Sequence, residues 1–152
     1  MPDDYYNLPL RLDLLMRGPG GRLSPGQARE INCSLDESIR NNVYLLITSQ
    51  FGEARYDPQF GCSIWDDDFQ STSDPADIRW IDRVEKSIRA GIRQYEKRLE
   101  RVSVEVTVNR DGGTDAHKRL VVTVHAHIRQ SNQRQFALRR EILIAPFISK
   151  QG

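Results

Sequence analysis

An α+β fold is predicted for this chain: two main helices packed on one face of a small antiparallel sheet of three or more strands. Two observations carry that expectation. From Ile78 to Leu99 apolar residues recur every three or four positions, which lines one face of a helix, and beyond Arg101 the period drops to two, the pattern of strands with one apolar side. A third observation, the sequence Ser34-Leu35-Asp36-Glu37, marks the start of another helix, because a serine hydroxyl and a glutamate carboxylate three residues apart can satisfy each other's backbone donors.

Taken in order, the chain opens with Leu8, Leu10, Leu12 and Leu14 alternating with Pro9, Arg11 and Asp13, an extended segment with one apolar face. Pro9 cannot donate a ladder hydrogen bond, which restricts the segment to an edge strand or a peptide-like arm. The run Arg17-Gly18-Pro19-Gly20-Gly21-Arg22-Leu23-Ser24-Pro25-Gly26 has no periodicity and reads as a linker. Residues 1–30 are therefore expected to form an extended arm and linker, docked on the protein's own core or on a neighbour, and residues 31–152 a single α+β domain. After the Ser34 cap, Ile39, Val43 and Leu46 supply an apolar stripe, and Phe51-Gly52 ends the helix, since glycine enters the left-handed conformation without steric cost.

The second helix is expected to start near Asp74-Pro75 and to bury Ile78, Ile81, Val84, Ile88, Ile92, Tyr95 and Leu99. Arg83, Lys86, Arg89, Arg93 and Lys97, interleaved with Glu85 and Glu96, read as its solvated face. Three strands follow, built on Val102 to Val108, Leu120 to Ile128 and Phe136 to Ile144, with Asp111-Gly112-Gly113 as a turn and Pro146 as a stop. Arg140 falls in the inward parity of the third strand, which calls for a bulge or an edge position.

With 152 residues, 22 Lys and Arg and 21 Asp and Glu, the net charge of +1 offers no global attraction to nucleic acid or an anionic membrane, so neither is an expected partner. The absence of a long apolar run and the acidic start Met1-Pro2-Asp3-Asp4 point to a cytoplasmic protein with no membrane-inserted segment. Cys33 and Cys62 fit reduced structural thiols. His125 and His127 share a strand face with His117 nearby, but that face is opposite Val122 and Val124, and no cysteine cluster completes a zinc site. Asp66-Asp67-Asp68 lacks the phosphate loop or acidic partners of a magnesium site. No metal or cofactor is expected.

The stretch with most to say about function is Gly52-Glu53-Ala54-Arg55-Tyr56-Asp57-Pro58-Gln59-Phe60-Gly61, a stiff charged turn directly behind the first apolar helix. With the preceding Ile39 to Gln50, it resembles the baseplate wedge family of contractile injection machines, whose members include a phage tail wedge protein and TssE of the type VI secretion system. That family shows an apolar helix, a Gly-Glu-Pro-Arg type turn and a Pro-x-Phe-Gly element. Ala54 stands where the family usually has proline. The resemblance, densest over residues 34–65, implies a fold akin to the inner domain of the sheath subunit and a non-enzymatic, structural role most like that of TssE. It implies a baseplate at the inner membrane, under the first sheath ring, with sheath subunits and wedge proteins of the TssF, TssG and TssK type as neighbours.

Within that reading Gly52, Glu53, Arg55, Pro58, Phe60 and Gly61 are the candidate interaction residues. Glu53 and Arg55 either clamp the loop on the protein's own helix or form ion pairs across an interface, arginine being suited to grip a carboxylate in two places. A phage tail wedge protein is the alternative within the family. A peptidoglycan hydrolase is the alternative outside it, and it would require Glu53 with Asp57 or Asp66 to act as a carboxyl pair. Arg55, two residues from Glu53, favours the ionised carboxylate, the wrong state for a general acid.

Overall fold

The computed structural model describes residues 5–7, 24–65, 74–110, 118–129 and 134–144. The expected segment Leu8 to Leu14, the run from Arg17 to Leu23, the Asp66-Asp67-Asp68 run, the Asp111-Gly112-Gly113 turn, His117 and Pro146 lie outside them. Two compact units follow one another in the chain, Met1–Leu45 and Leu46–Gly152.

In the first unit, β1 (Tyr5–Tyr6) pairs antiparallel with β2 (Asn32–Cys33), and the Asn7 N–H donates to the Ile31 carbonyl at 2.7 Å. Between them lies α1 (Pro25–Ile31), a helix inside the stretch expected to be a linker. Its cause is local: the Ser24 hydroxyl accepts from the Gln27 N–H at 3.3 Å, the Ser24 N–H donates to the Gln27 Oε1 at 3.0 Å, and Pro25 occupies the first helical position, where a missing N–H costs nothing. The same device starts α2 (Leu35–Thr48), where Ser34 and Glu37 exchange bonds of 3.0 and 3.3 Å, followed by an Arg40–Asp36 ion pair at 2.6 Å. Ile39, Val43 and Leu46 are buried, as their spacing predicts.

In the second unit, α3 (Asp74–Tyr95) lies against β3 (Leu99–Arg110), which leads the antiparallel meander β3-β4-β5 with β4 (Lys118–Ile128) and β5 (Arg134–Ile144). Val84, Ile88 and Ile92 are fully buried, and Trp80 extends their line one turn earlier. Ile78 is instead 72% exposed. At 3.6 residues per turn it stands roughly 100° away from the centre of the stripe through Trp80, Val84, Ile88 and Ile92. Leu99 belongs to the sheet, because the helix stops at Tyr95 and Glu96 to Arg98 turn the chain. The two acids expected on the solvated face are both engaged. Glu85 accepts the Val106 N–H at 2.9 Å, closing the β3 edge at that point, and Glu96, 3% exposed, is held by the Arg98 guanidinium through bonds of 2.7 and 2.6 Å.

The strand alternation holds, with Val102, Val104, Val106, Leu120, Val122, Val124, Phe136 and Leu138 buried. Pairing of β4 with β5 is unbroken, which excludes a bulge at Arg140; the strand is the last in the sheet order and Arg140 is exposed. The bulge is in β3, where the register shifts between Glu100 and Ser103 and Arg101 has φ 53°. One extra residue there lets Leu99, three positions before Val102, join the buried face that Val102, Val104 and Val106 share.

Candidate functional site

The charged turn is a closed knot of backbone hydrogen bonds. At its mouth the Gln50 N–H donates to the Glu53 carboxylate at 3.0 Å while the Glu53 N–H donates to the Gln50 carbonyl at 3.1 Å. Gly52, at φ 82°, sends its N–H across to the Pro58 carbonyl at 2.8 Å. Asp57 then organises the return, its N–H bonding the Ala54 carbonyl, its carbonyl accepting from Phe60 and its carboxylate taking the Gln59 N–H, each at 3.1 Å. Ala54, which cannot stiffen the turn as proline would, is bridged by these bonds.

Gly61 closes the loop. Its φ of 136° and the approach of neighbouring backbone both demand glycine, since a Cβ would stand 2.7 Å from the Ser49 carbonyl oxygen and 2.9 Å from the Gln50 carbonyl carbon. The closeness permits the Gln50–Cys62 parallel bridge and the bond from the Cys62 N–H to the Ser49 carbonyl at 3.1 Å. Behind it the Cys62 thiol and the Trp65 indole N–H both donate to the Ile47 carbonyl, at 3.2 and 3.1 Å, satisfying an acceptor in the last turn of α2 that has no helical partner. Cys33, also a buried free thiol, donates to the Tyr6 carbonyl at 3.4 Å.

Contacts of three kinds fasten the knot to α3 among the described residues, the third being the Asp57–Tyr95 hydrogen bond. The Ser63 N–H donates to the Ser87 hydroxyl at 3.0 Å, and the Phe60 ring meets Tyr95 edge-on, centroids 5.0 Å apart. Desolvation, then the hydrogen bond and negative charge of the Asp57 carboxylate, raise the Tyr95 phenol above its ordinary value. Gly91 leaves room for this approach, because a Cβ there would stand 3.0 Å from a Leu46 methyl and 3.4 Å from the Gly61 carbonyl oxygen. Between turn and helix lies a recess of about 340 Å³ lined by Phe51, Pro58, Gly61, Ala90, Gly91 and Gln94.

Of the six residues singled out in the sequence, Gly52, Glu53, Pro58, Phe60 and Gly61 hold the turn together or line its recess. Arg55 does neither. It is exposed and makes no ion pair among the described residues, and Tyr56 beside it is 90% exposed. The two residues that sequence reasoning missed are Gly91 and Tyr95 as the seat of the turn; a helical glycine amid an otherwise continuous apolar stripe was the available signal. Glu53 is exposed and bonded to a backbone amide, not sheltered in an apolar pocket, and Asp66 lies outside the described residues. On the outer face of the sheet His125 is exposed and His127 half-buried.

The sequence profile of the family described as baseplate wedge protein gp25 matches residues 33–133. Baseplate wedge protein gp25 of Enterobacteria phage T4 is 33% identical over 69 residues, 45% of this chain and 49% of the phage protein, so the chain spans about half the length of that curated relative. Among solved structures, a Geobacter sulfurreducens protein described as a tail lysozyme superposes with a TM-score of 0.61 at 20% identity, covering 77% of this chain and 97% of that one. A chain of the baseplate complex from the type VI secretion system does so with a TM-score of 0.57 at 14% identity, covering 70% of this chain and 91% of that one. At these identities both likenesses concern the fold.

Proposed function

The chain belongs to the baseplate wedge protein gp25 family, and on that premise we propose that it is a structural wedge component of a contractile-tail baseplate, most like the TssE-type protein of a type VI secretion system. In this role it sits in the cytoplasm beneath the first sheath ring, beside sheath subunits and other wedge proteins, and templates sheath assembly by accepting an extended segment at a sheet edge. Backbone hydrogen bonds give such strand addition affinity with little sequence demand. On the β3 side the incoming segment would have to displace Glu85 from the Val106 N–H.

The observation that carries the reading is the division of labour in the charged turn. Glu53 is spent on its own backbone, which fixes the loop, and the fixed loop displays Arg55 and Tyr56 to whatever lies outside. Arginine and tyrosine are among the side chains that most often anchor protein interfaces. Glu53 thus acts as the clamp and Arg55 as the contact.

The test is a pull-down of the tagged protein from its native cells with mass spectrometry. The parent is expected to retrieve sheath and wedge proteins, and Arg55→Ala to lose them while its melting temperature stays with the parent's. Glu53→Ala is expected to lower the melting temperature. Retrieval by Arg55→Ala at parental levels would remove the argument from Arg55. The neighbouring genes separate the two settings: sheath, spike and membrane-complex genes mark a secretion system, and tail genes without a membrane complex mark a phage particle. Peptidoglycan hydrolysis, by contrast, would need an apolar setting that the exposed Glu53 lacks.

A further inference from the structure

A second recess, of about 230 Å³, opens where α3 hands over to β3, and it does not depend on the baseplate reading. Arg93, Lys97, Arg101 and Arg129 line it with a single carboxylate, Glu100, over Leu99 and Val102. Four cations against one acid is a steep local excess in a chain whose charges otherwise nearly cancel. That one acid is poorly used, since Glu100 stands 3.9 Å from the Arg129 guanidinium. Lys97 caps the helix end by donating to the Arg93 carbonyl at 2.8 Å. Among the described residues the Arg93 and Arg101 guanidiniums have no acidic partner.

The backbone supplies an independent reason to take the cluster as a site. Arg101 holds φ 53° at the β-bulge, a conformation that suits glycine and disfavours a residue with a Cβ. A bulge turns a side chain out of the regular alternation, and here the side chain turned out is a guanidinium lining a cationic recess. Glycine would give the same backbone without strain, so the backbone does not account for an arginine here.

We propose that this recess docks a short segment of a partner protein bearing glutamate or aspartate. Guanidinium groups grip carboxylates bidentately, and with Leu99 and Val102 nearly buried the four cationic side chains supply the recess's binding chemistry. The lining holds no aromatic ring on which a base could stack, which favours an acidic peptide over a nucleic acid.

The experiment is a titration of the uniformly 15N-labelled full chain with an end-capped Gly-Leu-Glu-Glu-Leu-Gly peptide, followed by amide shifts. Shifts are expected to cluster on residues 93–102 and 129, to weaken with added salt, and to vanish with the peptide in which Gln replaces both Glu. Arg101→Gly, which keeps the bulge, is expected to fold at least as stably as the parent and to bind about tenfold more weakly, as is Arg93→Gln; Arg139→Glu on the outer sheet face is expected to bind as the parent does. Equal binding of the Gln peptide, parental affinity in Arg101→Gly, or shifts centred elsewhere would overturn the proposal. So would a recess that responds to inorganic phosphate or a DNA duplex and not to the peptide.

Discussion

Gly61 and Arg101 both occupy left-handed backbone, at φ 136° and 53°, yet one is the residue that such geometry prefers and the other is not. At Gly61 the loop crosses within van der Waals limits of the Ser49 and Gln50 backbone, and no side chain could be accommodated. At Arg101 space is available and the strain is tolerated. The contrast separates two uses of unusual backbone: in the charged turn it closes a scaffold that displays its neighbours, and at the bulge it aims the strained residue's own side chain. Gly52 falls between them, with φ 82° and nothing within 4 Å of the point where a Cβ would stand.

Substitution of the three positions should therefore give three different answers. Gly61→Ala carries both the backbone penalty and a collision with backbone atoms that cannot swing aside, and is expected to lower unfolding free energy by about 3 kcal/mol or more. Urea denaturation measures it, and the Phe60–Tyr95 contact should be lost with it. Gly52→Ala carries the backbone penalty alone, about 1 kcal/mol. Arg101→Gly reverses that penalty and gives back part of it through the greater freedom of glycine in the unfolded chain, for a net gain of about 0.5 kcal/mol. If Gly61→Ala and Gly52→Ala cost the same, the close approach at Gly61 has no energetic weight. If Arg101→Gly is destabilising, Arg101 is held by its own packing and the bulge is not strained.

How far the sequence could be read follows the range of the interactions involved. Ser34 with Glu37, the helix through Val84, Ile88 and Ile92, and the three-strand meander are written in spacings of two to four residues, and those elements were legible. The Ser24-to-Gln27 cap has the same form as Ser34 to Glu37 and was hidden by the glycines and prolines around it, which made a helix look like a linker. Trp80 was masked by its apolar neighbours Ile78 and Ile81, which complete a helical spacing without it. The bulge announced itself only by an arithmetic slip, Leu99 and Val102 being three apart where a strand requires two. In the charged turn the residues were legible and their division was not. That Glu53 bonds its own backbone while Arg55 stays outward depends on side-chain direction, and the seat on Gly91 and Tyr95 joins segments about thirty positions or more apart.

The smallest expected effect concerns that seat. The Tyr95 phenol is raised above its ordinary 10.0, first by desolvation and then by Asp57. The folded protein thus binds this proton more tightly than the unfolded chain does. Stability from the group is complete below the unfolded value and is lost as pH rises through the higher folded one, where a phenolate would face the Asp57 carboxylate. Tyr95→Phe keeps the edge-on ring contact with Phe60 and removes the titrating hydroxyl. Its melting temperature is expected to lie slightly below the parent's at neutral pH and to fall less steeply above about pH 10, so that the two curves converge in alkali. Parallel curves would mean that the Asp57–Tyr95 bond contributes nothing to holding the turn, leaving the close approach at Gly61, the Phe60 ring and the Ser63–Ser87 bond as the fastenings behind Arg55.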